Sequence, residues 1–253
     1  MSQAAAQSIR DFDLLEMPME GVAAYWLSLK KLVGNRRNFK GLDQEAEFTS
    51  EPFVRHLLEI TFSGDMGEDR VRRCAAARGD LLRGELNRRL DLMRVAVLDV
   101  AGGENPLRTM ARIAALYPVP PITTEKALGY AQELLRQAGE KPPAERFFDV
   151  SHRLQDDRLV VALLFYVLLS RHHGRMACRP FLEHLGSRFF ADGMALVADG
   201  FDAPFVRKWL KKHKLVLLDD VRDKMSMSVE LALGIKARLG YDDVFRIARS
   251  YMR

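Results

Sequence analysis

Residues 171–207 read "RHHGRMACRPFLEHLGSRFFADGMALVADGFDAPFVR" and hold His172, His173, Cys178 and His184, side chains of the types that ligate a metal or, as a thiolate, attack an electrophile. A zinc site gathers its ligands from spacings such as CxxC, HxxxH or HExxH, and none of these occurs here. On one continuous helix His173 and Cys178 stand about 500° apart and point in different directions. Arg175, Arg179 and the histidines supply positive charge that would lower a thiol's pKa, but no third group is placed to orient a base. The spacing therefore predicts a packed Cys178 and histidines at a helix C-terminus, where their charge suits the dipole. No catalytic residue, no metal site and no cofactor are expected.

Other chemistry is equally unsupported. The stretch "DVAGGENPLR" (99–108) has two glycines but neither GxxxxGK[ST] nor GxGxxG, and reads as a helix end followed by a new start. Asp156-Asp157, Asp219-Asp220 and Asp242-Asp243 sit at expected helix starts, where carboxylates offset the dipole without catalysing anything. The run "VRKWLKKHK" (206–214) sets Arg207, Lys208, Lys211, Lys212 and Lys214 around Trp209 and Leu210. A basic amphipathic helix of this kind suits nucleic acid, an anionic membrane or an acidic protein, or is a solvated helix with one buried face.

The elements that must position these residues are helices. Apolar residues recur at helical rather than alternating spacing, as with Phe53, Leu57 and Ile60 after a start at Ser50-Glu51-Pro52. A long helix is expected over 68–100 with Val71, Leu82, Leu86, Leu90, Met93 and Val97 inward, weakened or broken at Gly79 and Gly84. "YPVPPITT" (117–124) and "GEKPP" (139–143) are the strongest punctuation, and divide the chain near residue 120 or 141. Beyond them helices are expected near 144–154, 156–173, 176–185, 187–198, 203–213, 215–238 and 241–252. "PFVR" at 52–55 and 204–207, with "RIA" before Tyr117 and Tyr251, hints at a duplication or at two similar helix starts.

The chain of 253 residues has a net charge of +5 and two cysteines, too few for a disulfide framework. Its arginines interleave with acids, as in "EDRVRRCAAARGDLLRGELNRRLDLMR" (68–94), which predicts local pairs on a solvated helix face and makes a nucleic-acid partner the weaker expectation. The most apolar run, "LVVALLFYVLL" (159–169), is half the length of a membrane span and reads as a core helix. "MSQAAAQSIRDFD" lacks the charged start and apolar core of a secretory signal, so the expected compartment is the cytoplasm.

One resemblance goes further. Arg171-x-x-Gly174, then Gly193, "LVADGFD" and "FVR" are spaced as in the cytoplasmic segment of the flagellar stator subunit MotA and related proton-channel proteins. That family shows an "R-x-x-G-L-L-x-L-E" helix followed by "F-L-x-x-G-x-x-L-V-x-D-G-x-D-x-x-x-V-R". "RFFDVSHRLQDDRLVVALLFYVLLSRHHG" also looks like the family's lead-in. The resemblance implies that Arg171 faces a charged rotor protein. Two departures stand beside it: no transmembrane helices flank the segment, and Arg179 occupies the position of the family's glutamate.

The expectation is an all-α protein, a multi-helix bundle or irregular helical solenoid, with an N-terminal lobe (1–120) and a C-terminal lobe (121–253). Its expected role is non-enzymatic: a bacterial, MotA-like regulator that contacts the flagellar rotor through a protein interface at Arg171, Arg175, Arg179, Arg207, Lys208, Lys211 and Lys212. The alternatives are a general helical scaffold for another protein and nucleic-acid binding through 206–214.

Overall fold

A computed structural model describes residues 12–34, 40–64, 66–140 and 148–252, and among them the fold is all-α with no strand. In chain order the helices are α1 (Met19–Val33), α2 (Lys40–Phe48), α3 (Pro52–Leu58), α4 (Glu68–Gly102), α5 (Pro106–Ala114), α6 (Thr124–Glu140), α7 (Asp156–His173), α8 (Arg188–Ala198), α9 (Ala203–Lys236) and α10 (Tyr241–Tyr251). A π-helical turn, Glu59–Ser63, extends α3, and a 3-10 helix, Arg175–His184, follows α7. No described helix is long and apolar enough to cross a membrane.

Contacts gather the chain into two units, one of Met1–Gly84 with Leu217–Arg253 and one of Glu85–Val216. The sequence division near 120 falls inside the second unit. Residues of α4 and α9 belong to both.

In the first unit α3 starts on Pro52, where a missing N–H costs nothing, and Glu51 rather than Ser50 accepts the Phe53 N–H, at 3.4 Å. Phe53, Leu57 and Ile60 are buried on one face, as their spacing predicts, together with Trp26, Val71 and Leu231. Gly79 does not break α4. It brings Phe53 and the Met225 sulfur within 3.4 Å of where a Cβ would stand, a close approach that offsets the propensity cost of glycine. Charged groups tie the late segment to the early ones: Arg72 Nη2 donates to Glu230 Oε2 at 2.9 Å, and buried Lys224 Nζ donates to the Leu14 carbonyl at 2.9 Å.

The second unit is built around α7. Every residue from Leu159 to Leu169 except Val161 is buried, which is the expected state of a helix that is apolar on all sides. Leu90, Met93 and Val97 of α4 are fully buried; Leu86 is only half-buried, as is Leu82 in the part of α4 that belongs to the first unit. The interleaved charges do pair locally, as Arg89 with Glu85 at 3.1 Å and Arg94 with Asp91 at 3.1 Å.

Three local expectations change. The helices expected at 203–213 and 215–238 are one helix, α9, because nothing in "KLVLL" breaks the apolar stripe. The helix expected at 176–185 is 3-10, since Pro180 inside it denies the α-helical hydrogen bond. Of the helix expected near 144–154, residues 144–147 lie outside the described residues, and 148–154 hold no α-helix but a turn at 152–153, closed by Leu154 N–H on the Ser151 carbonyl.

Candidate functional site

The residues of the stator-like segment lie in the second unit, and their surroundings follow from where its helices end. Residues Arg171, His172 and His173 form the last turn of α7, which stops at Gly174. α8 begins on Ser187, whose hydroxyl accepts the Phe190 N–H at 3.3 Å. Phe189, Phe190, Met194 and Val197 are buried as expected, and Gly200, at φ 86°, ends the helix in a left-handed cap. Asp202 then accepts the Phe205 N–H at 2.8 Å and starts α9.

Gly193 explains part of the motif physically. A Cβ there would stand 3.0 Å from Leu210 Cδ2 and 3.3 Å from both Val97 methyls. The glycine is required where α8 meets α4 and α9.

Cys178 is buried, and burial pushes its thiol up to about 12. Burial thus favours the protonated thiol over the thiolate that attacks or ligates. His172 and His173 are exposed at the helix end. Among the described residues no group of three or more His, Cys, Asp or Glu side chains could hold a metal ion.

The expected contact residues separate into two sets. Arg175 donates to the Ala101 carbonyl at the C-terminal end of α4. Arg179 pairs at 2.7 Å with Asp199, the C-cap of α8. Both therefore place cations at helix C-termini, where exposed carbonyls favour them. By contrast Arg171, Arg207, Lys208, Lys211 and Lys212 are exposed and have no ion-pair partner among the described residues. Lys214, in the same basic run, is not part of the surface: it pairs at 2.8 Å with Asp91, both being largely buried.

Arg207 lines a cleft of about 440 Å³ with Arg94, Asp99, Gly102, Glu104 and Arg112. Arg112 bridges the two carboxylates, meeting Glu104 at 3.0 Å and the buried Asp99. Burial raises the Asp99 carboxyl above its usual range, against the pull of Thr109 and Arg112. The Glu104 carboxyl is lowered, chiefly by the Asn105 backbone N–H. The cleft's own acids are thus engaged, and Arg207 is the cation left to meet a ligand. Because Arg175 reaches the Ala101 carbonyl and the cleft holds both Gly102 and Arg207, Arg175 and Arg207 lie near the same end of α4.

Sequence reasoning missed the cleft and the exposed apolar side chains Phe201, Phe205, Leu215 and Val216. Phe205, Leu215 and Val216 were visible in the helical phase of 205–216, which turns them away from Val206 and Leu210. The cleft joins residues far apart in the chain and left no such signal.

No family model, no curated protein and no solved structure matches the chain.

Proposed function

We propose that the chain is a non-enzymatic helical interaction module, and that the arginine-rich end of its second unit docks an acidic surface of a protein partner. The observation that carries this is the contrast among its basic residues. Arg175 and Arg179, though exposed, are each held by a partner within the chain, whereas Arg171, Arg207 and Lys211 are exposed without ion pairs, Arg207 beside a cleft whose acids are already bridged. Unpaired cations at such a rim steer an acidic partner and set its orientation.

The stator-like spacing makes the flagellar rotor protein FliG the first partner to test. Arg179, in place of the family's glutamate, is neutralised by Asp199, so the position presents little net charge of either sign. Titration of the full chain against FliG at low and moderate salt, with Arg171→Glu and Arg207→Glu variants, tests this reading. Saturable binding weakened by both substitutions and by salt is expected. Binding indifferent to both substitutions, or none at low salt, rejects the rotor reading.

A further inference from the structure

The outward face of α9 within the second unit is a different surface from the arginine-rich end. At 100° per residue, Phe205, Lys208, Lys212, Leu215 and Val216 all fall within about 60° of the direction opposite Leu210, which is fully buried. Arg207 and Lys211 lie on the flank. Phe201, in the turn before the helix, stacks on Phe205 with ring centroids 5.0 Å apart. The four apolar members are 42, 45, 52 and 65% exposed for Phe201, Phe205, Leu215 and Val216. Apolar groups therefore stand at both ends of a face running about 16 Å along the helix, with two unpaired lysines between them.

Nearby acids do not cancel those lysines by pairing. Asp202 caps the helix, Asp199 holds Arg179, and Asp219, the next residue on this face, holds Arg222 at 3.0 Å.

We propose that this face seats the protein on an anionic lipid surface, with Phe201, Phe205, Leu215 and Val216 entering the acyl boundary while Lys208 and Lys212 meet the lipid phosphates. Lysine suits the role because its long apolar stem lies along the apolar surface while its ammonium reaches the headgroups. Nucleic acid would satisfy the lysines, but exposed Leu215 and Val216 cannot stack on bases and gain nothing from a phosphate backbone. A second copy of the chain, pairing this face on itself about a two-fold axis, would bring lysine against lysine. An anionic bilayer complements the charge and the apolar groups together.

The test is co-sedimentation of the full chain with vesicles of phosphatidylcholine alone and of phosphatidylcholine with an equal part of phosphatidylglycerol. Binding to the mixed vesicles only is expected. Each lysine near an anionic surface contributes about fivefold in affinity, so Lys208→Glu with Lys212→Glu should lose well over tenfold. Phe205→Ser with Leu215→Ser should weaken binding and leave the remainder wholly salt-sensitive. Arg171→Glu should leave it unchanged. All five altered positions are exposed, and circular dichroism checks that the variants stay helical. The proposal is overturned if neither vesicle binds, if pure phosphatidylcholine binds equally, or if the lysine pair can be reversed without loss.

Discussion

Replacing Gly193 by alanine adds one methyl group where the second unit has no room for it. The new carbon would meet Leu210 Cδ2 at 3.0 Å and the two Val97 methyls at 3.3 Å, well inside the carbon–carbon optimum of about 3.5–4.0 Å. Val97 cannot turn away, since a β-branched side chain in a helix has one strongly preferred rotamer. Leu210 is fully buried and has little space to move into. Overpacking of this kind costs about 1–3 kcal/mol, while alanine's better helix propensity returns up to about 1 kcal/mol. The net expectation is a loss of roughly 1 kcal/mol. Gly129→Ala is the matched control: nothing lies within 4 Å of its Cβ position, so only the propensity gain operates and the variant should be stabler. Urea unfolding followed by Trp209 fluorescence in a Trp26→Phe background reports on the second unit alone, since Trp209 is then the sole tryptophan. Adding Val97→Ala should make Gly193→Ala nearly neutral. If Gly193→Ala stabilises as much as Gly129→Ala, the close approach at this crossing is not what demands glycine.

Asp202→Ala should lower the stability of the second unit by about 1 kcal/mol, the usual cost of losing a helix N-cap, read from the same Trp209 transition. In native protein a disulfide reagent such as DTNB should titrate Cys74 quickly and Cys178 only on unfolding, because burial holds the Cys178 thiol near 12; two fast thiols per chain would contradict this. The two units should also differ in acid. Burial lowers the His213 pKa, so its neutral form favours the fold, and that stability is present above about pH 6.5 and lost as pH falls below it. Hydrogen bonding to Arg72 lowers the Glu230 carboxyl, so its contribution to the first unit is present above the ordinary glutamate range and is lost at lower pH. His213→Gln should flatten the Trp209-reported stability between pH 7 and 5, and Glu230→Gln the stability below pH 5 reported by Trp26 in a Trp209→Phe background.

The helices were legible because the apolar period of 3.6 is a local property. Leu159 to Leu169 announces a buried helix, Asn105-Pro106 a helix start, and Gly200 before Asp202 a stop and a start, and each is found in place. Pro180 reads in the sequence as the start of a helix and not as the middle of a 3-10 helix, because that depends on what the segment packs against. Of the basic residues, type and spacing gave Arg175 and Arg179 the same standing as Arg171. Only the third dimension shows that the Ala101 carbonyl and Asp199 claim the first two. Leu82 and Leu86 have the right phase but lie half-buried, since phase names a face and not what covers it. The grouping of the chain was least legible. Proline-rich punctuation at 117–124 marks a turn between helices, whereas the first unit joins Met1–Gly84 to Leu217–Arg253, stretches more than 100 positions apart.

That grouping has a consequence for synthesis. The second unit is one contiguous stretch, Glu85–Val216, and all its partners have been synthesised once α9 is about half made. The first unit is interrupted. Arg72 must wait for Glu230, and the Leu14 carbonyl for Lys224. Since domains fold as units when their residues become available, the earlier-made residues finish last. Until then Trp26 and Phe53 lack the apolar residues of 221–248 that complete their core, and this is the interval in which the chain is most exposed to aggregation or to chaperone capture.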